Sequence, residues 1–364
     1  MRLSVVMWAF VSVSLCGLHC GPSPVPETKT GITLVPPDDD IRVATLLEGA
    51  RENDTNAVRK ALLEGIDVDS PGVGGKTALM IAATLGHGDM VSFLLKKGAD
   101  VDATQQDGAT ALMLAAGMGE QRSIELLCAN GADINSTTKH GMTPLMFASM
   151  SGNVDAVRFL LEKGADPHAR EVGGETPLIA AAAEGHVEVS RMLLSQKADP
   201  NVATERGRTP LMVASLNGSR ELVALLLENG ADIASVDVRK RDALMAAARA
   251  GHASVVTLLL KKGANPKGVK KGGWTALMLA AGEGHADVVT ILLDAGADVH
   301  QANVSGWTAL MFAAGRGYAD ITQILLARGA DPAQKDAFGL SAADIAKENG
   351  FSELAETLSS PQSR

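Results

Sequence analysis

Four histidines, His87, His186, His252 and His285, have the residue type and regular spacing that could form a metal-ligand set. A shared ion needs imidazole nitrogens that converge within bonding distance. Here the separations are 99, 66 and 33 residues, and each histidine directly follows a glycine. All four therefore occupy one place in a repeated unit, roughly 10 Å per unit apart given the spacing of packed helices. They read as repeat positions and not as a metal site. Cys16 and Cys20 are close in sequence but lie in the N-terminal leader. Gly74-Gly75-Lys76-Thr77 resembles the end of a phosphate-binding loop, but the upstream glycine and the strand–loop–helix setting are missing. There is no His-Glu-x-x-His and no Cys-x-x-Cys. The expectation is a protein that is not an enzyme and needs no cofactor or metal.

The elements that position these residues follow a fixed period. Thr275–Gly284 and Thr308–Gly317 are nearly the same string, 33 residues apart. Openings of this kind fall at Thr77, Thr110, Thr143, Thr176, Thr209, Asp242, Thr275, Thr308 and Ser341 without insertion. Each opening suits a helix N-cap, since its side-chain oxygen can accept an orphan backbone N–H. Pro144, Pro177 and Pro210 follow their caps at the first helical position, where a missing N–H costs nothing. A short Leu/Met/Ala helix ends at a glycine nine residues after each cap, from Gly86 to Gly350. A leucine-rich second helix then stops at Gly-Ala-Asp. About ten residues of turn lead to the next cap. A glycine sits two positions before the cap in every unit except one, which carries Lys240. Lys197 replaces another glycine at a position that calls for φ > 0. Around Arg239-Lys240-Arg241 the loop is expected to project differently.

This helix–turn–helix–hairpin unit with Thr-Pro-Leu openings resembles the ankyrin repeat family, strongly over 77–358 and weakly over 44–76. The resemblance implies an all-α ankyrin-repeat solenoid of about ten units, counting degenerate caps at both ends. One departure is systematic. The family usually has histidine at the fourth position of the opening, where this chain has Met80, Met113, Met146, Met212, Met245, Met278 and Met311, with Ile179 in one unit. Bacterial-type Thr-Ala/Pro-Leu-Met openings of this kind are expected to be cored by flexible thioether packing.

Composition agrees. Apolar residues reach 46% with aromatics at only 3%, as a core of Leu, Ala, Val and Met requires. The net charge of −9 argues against non-specific nucleic-acid binding. Met1-Arg2 followed by the uncharged run from Leu3 to Leu15 predicts an export signal over residues 1–20, too short to span a membrane comfortably. Two processing routes stay open: cleavage before Gly17, or lipidation of Cys20 (or of Cys16) as in a bacterial lipoprotein. Gly17-Leu18-His19 departs from the usual lipobox, whereas the Pro-rich stretch after Cys20 suits a tether. The organisation expected is a signal at 1–20, a linker at 21–40, the repeat domain at 41–358 and a tail at 359–364. Asp38-Asp39-Asp40 places negative charge where the first helix should begin. Cys128 falls in a column of leucines and reads as core.

The resemblance implies partner binding on a concave side, through hairpin tips, the residue before each cap and the pair before each helix-ending glycine. Trp274 and Trp307 stand in the pre-cap column, where other units carry Lys76, Glu175, Arg208 and Arg241. Two rings one unit apart, flanked by Leu340, read as an aromatic anchor for a protein surface. The alternative is that each ring covers its own hairpin. Leu85, Met118, Met142 and Met150 form a second candidate patch. The basic run Arg239, Lys240, Arg241, Lys261, Lys262, Lys267, Lys270 and Lys271 reads as a solvated face, with an acidic partner or anionic lipid headgroups as the other reading. The function expected is a monomeric protein-interaction module, exported to the periplasm or anchored to a membrane through Cys20. A cytoplasmic regulatory scaffold is the alternative.

Overall fold

Twenty α-helices, in ten consecutive pairs, make up nearly all regular structure among the described residues of the computed structural model, which are 38–359. The leader with Cys16 and Cys20, the linker up to residue 37 and the tail from residue 360 lie outside them. The first helix starts at Asp38, three residues earlier than the expected start of the repeat domain, and the last runs Ser352–Ser359.

Each repeated unit builds as its residues dictate. Thr77 sits in extended backbone and its hydroxyl accepts the Met80 N–H at 3.3 Å, opening the helix Ala78–Thr84. Asp242 does the same for Met245 at 2.9 Å. Ser341 forms a full capping box with Asp344, whose carboxyl those hydrogen bonds hold below its ordinary value. After the first pair, where Asp54 caps Thr55–Leu63, second helices such as Gly88–Lys96 and Val187–Ser195 start without a side-chain cap. Each second helix but the last ends at a left-handed residue, and the aspartate (Asn265 in one unit) two places on closes an Asx turn, as when Asp100 accepts the Asp102 N–H at 3.0 Å.

First helices pack on first helices and second on second, in two rows. The core lies between the rows. The methionine column is core throughout, with Met80, Met113, Met278 and Met311 all at 1% exposure or less. Burying each such side chain contributes about 1.5–3 kcal/mol. His87 donates its Nε2–H to the Arg51 carbonyl of the preceding unit at 3.0 Å. His186, His252 and His285 reach Met150, Leu216 and Arg249 carbonyls in the same way. These four histidines therefore each tie their unit to the one before it.

Nine hairpins precede the nine caps. Consecutive hairpins are joined by one backbone hydrogen bond, from Gln106 N–H to the Gly74 carbonyl at the first junction and from Ala337 N–H to the Ser305 carbonyl at the last. Seven of the eight junctions have this bond, at 2.8–3.0 Å.

Candidate functional site

The pre-cap column is mixed in burial. Lys76 and Glu175 are exposed, Ala109 is buried, and Met142, Arg208, Arg241, Trp274, Trp307 and Leu340 are half-buried. Although Glu175 reaches solvent, partial burial of its carboxyl and then the neighbouring Glu171 raise its pKa, with Arg208 acting against them. Leu340 packs against the core edge.

Trp274 and Trp307 are brought together by a third ring. Phe312, on the helix Ala309–Gly315, lies with its centroid 5.0 Å from each indole, at interplanar angles of 36° and 56°. The three rings form one continuous row spanning two units, in tilted geometries that aromatic quadrupoles favour. The two indoles differ in one respect. Trp307 donates its Nε1–H to the buried Asp336 carboxylate of the next hairpin at 3.1 Å, so this ring also braces that hairpin. Trp274 makes no side-chain hydrogen bond among the described residues.

Beside this row opens a groove of about 520 Å³. Trp274, Phe312, Met278 and Leu279 are among its apolar lining, and its charged lining is the six cations Arg239, Arg241, Arg249, Lys270, Lys271 and Arg316 with one carboxylate, Glu283. Three of the six cations are paired: Arg241 with Asp237 at 2.7 Å, Lys270 with Asp242 at 3.0 Å and Arg249 with Glu283 at 3.5 Å. Arg239, Lys271 and Arg316 have no acidic partner among the described residues, and all three are exposed. The groove lies at the sixth junction, the one without an inter-hairpin bond. By register the Lys271 N–H should meet the Arg239 carbonyl, and it does not.

The turn at 237–241 itself keeps the shape of the turn at 336–340, contrary to the expectation of a different projection, whereas the hairpin that follows it differs, with a 3-10 turn over Lys271–Gly273 and Gly272 at φ 79°. Asp237 Oδ1 accepts the Arg239 and Arg241 N–H groups at 2.9 and 2.8 Å, as Asp336 Oδ1 does for Phe338 and Leu340. What changes is its relation to the following hairpin. The basic run divides accordingly: Arg239, Arg241, Lys270 and Lys271 line the groove, whereas Lys240, Lys261, Lys262 and Lys267 do not. Arg249 and Phe312 were missed by sequence reasoning. Arg249 stands in a surface pair before a helix-ending glycine, a signal that could have found it. Phe312 occupies a column filled elsewhere by Leu114, Phe147, Ala180 and Val213, which carries no such signal.

The residues of the second candidate patch differ in burial. Leu85 and Met118 are exposed at 44% and 43%. Met142 packs onto a small cluster of Ala109, Met113 and Phe147, and Met150 is half-buried. Cys128 is half-buried rather than fully core, and burial pushes its thiol pKa up, with Lys163 opposing. That leaves less thiolate at neutral pH and a less reactive sulfur.

Models described as ankyrin repeats in three copies match residues 46–138, 99–171, 167–237 and 233–303, and one described as ankyrin repeats in many copies matches 303–346. The chain belongs to the ankyrin-repeat family. Among solved structures it is similar to the crystal structure of the human ASB11 ankyrin repeat domain, at 27% identity and a TM-score of 0.57, over 61% of this chain and all of that one. No curated protein matches the chain. Ankyrin repeats are typically non-enzymatic scaffolds that bind other proteins, and this chain is a protein-interaction module of that kind.

Proposed function

We propose that this ankyrin-repeat protein is exported, associates with the cell envelope, and binds a protein partner on the concave face that carries Trp274 and Trp307. The observation that carries the reading is the Trp274–Phe312–Trp307 row. Three half-buried aromatic rings in one row, two of which (Trp274 and Phe312) line an open groove, are the composition of an interface anchor. The repeats are already folded, so little ordering entropy opposes association. Export rests on the leader over residues 1–20, and a membrane tether would run through lipidated Cys20 and the Pro-rich linker.

Trp274→Ala is the sharper probe, because Trp307 also holds Asp336. Affinity capture from separate soluble and membrane fractions, with the parent and with Trp274→Ala of matched thermal stability, is the test. A partner held by the parent should bind the variant about thirtyfold more weakly, the loss of about 2 kcal/mol typical of an interface anchor. Equal capture by both chains removes the aromatic row from the interface. The mature N-terminus tests export separately. Loss of residues 1–16 or 1–19, with or without a lipid on Cys20, supports it, and an intact Met1 in the cytoplasm supports the regulatory scaffold instead.

A further inference from the structure

We propose that Lys240 is a wedge that holds one hairpin junction open, and that the basic groove so formed takes an acidic, extended peptide segment of a protein partner. The inference rests on the reading that this face binds protein, and it names the chemistry of what is bound.

The wedge follows from the glycine column. At Gly75, Gly108, Gly141, Gly174, Gly207, Gly273 and Gly306, an added Cβ would lie only 2.6–3.2 Å from backbone atoms of the next hairpin. Real Cβ atoms seldom approach backbone that closely. The missing side chain is therefore what lets successive hairpins come within hydrogen-bonding distance. Lys240 stands in this column with φ 61°, so its backbone bends as the glycines do while its Cβ projects at the following hairpin. At that junction alone the inter-hairpin bond is absent. Gly339, in the last hairpin, has no follower and nothing near its Cβ position.

Opening the junction exposes two unsatisfied groups in register, the Arg239 carbonyl and the Lys271 N–H. An extended peptide supplies an N–H for the first and a carbonyl for the second, as strand addition does at a sheet edge. Around these groups stand Arg239, Lys271 and Arg316 without acidic partners, in a chain whose net charge is −9. Local charge opposite to that of the whole molecule selects an acidic occupant and speeds its approach. The apolar lining of Trp274, Phe312 and Met278 accommodates an apolar side chain between the acidic ones. A membrane surface or nucleic acid would use the cations but leave the two unsatisfied backbone groups and the apolar lining unused.

The test uses the full-length chain with Lys240→Gly and Lys240→Ala, each selecting from a display library of random short peptides. Lys240→Ala removes the charge and keeps the Cβ, whereas Lys240→Gly removes both. The parent and Lys240→Ala should enrich the same acidic peptides bearing an apolar residue. Lys240→Gly should bind them at least about tenfold more weakly while melting at a higher temperature. Lys271→Glu/Arg316→Glu, both exposed positions, should also lose them. Equal peptide binding by Lys240→Gly, enriched peptides with no excess of acid, or stronger binding to phosphatidylglycerol vesicles or a single-stranded DNA oligonucleotide would each overturn the proposal. Peptide binding lost in Trp274→Ala but kept in Lys240→Gly preserves the aromatic face and removes the wedge.

Discussion

Lys197 and Lys240 share a left-handed backbone, at φ 64° and 61°, yet their surroundings differ. At the exits of the second helices, a Cβ on Gly98, Gly131 or Gly164 would meet nothing within 4 Å. Lys197 therefore bears only the conformational penalty, and its position was legible in the sequence because the glycine column there is otherwise unbroken. The consequence of Lys240 was not legible, since it depends on a distance to a neighbouring hairpin that no spacing reveals. Buried hydroxyls tell a similar story. Ser149 and Ser215 are fully buried, their Oγ atoms lack partners among the described residues, and the same column holds Ala83, Ala116, Ala182 and Ala248. An unpaired buried hydroxyl is costly and serine is a poorer helix former than alanine. Ser149→Ala and Ser215→Ala should each stabilise the fold by about 1 kcal/mol, read as a higher urea midpoint at unchanged slope.

At the scale of the element, the helix-ending glycines serve two ends at once. Gly251 has φ 78°, and a Cβ there would lie 2.5 Å from Nδ1 of His285 in the next unit. That imidazole is held by the Arg249 carbonyl at 3.0 Å. Gly251→Ala should thus cost both the left-handed strain and the inter-unit hydrogen bond, about 2 kcal/mol together. Gly98→Ala, with open space, should cost only about 1 kcal/mol. Chemical denaturation of the two variants measures the difference, and equal losses would remove the histidine from the account. The glycine, the cap and the helix lengths were all readable from one unit. The histidine's bond was not, because it crosses into the unit before.

Across the whole array, stability should be a sum of similar units and similar interfaces, apart from one. The junction between residues 237–241 and 270–274 lacks the bond that the other seven have. The Lys271 amide should therefore exchange its hydrogen faster than the equivalent amides of Val238, Val304 and Ala337, a comparison that residue-resolved hydrogen exchange makes directly. Matching protection at all four would close the junction in solution. The 33-residue period made the architecture plain, and the pre-cap column pointed to Trp274 and Trp307. Phe312, which joins them, was hidden because its contact with Trp274 belongs to stacking between units rather than to any one unit's pattern.

The close approach at the hairpin glycines also bears on how such a chain varies over generations. A glycine codon lies a single base change from codons for alanine, valine, arginine and one of the two acidic residues, and every one of these adds a Cβ. A point mutation in any hairpin could therefore push adjacent hairpins apart and create a cleft, with the side chains already bordering that seam deciding its preference. Reversion to glycine would seal it again. Duplicating a unit would copy the seam together with its lining, so new specificities can arise, move along the array and vanish without an insertion and without disturbing the helices on either side.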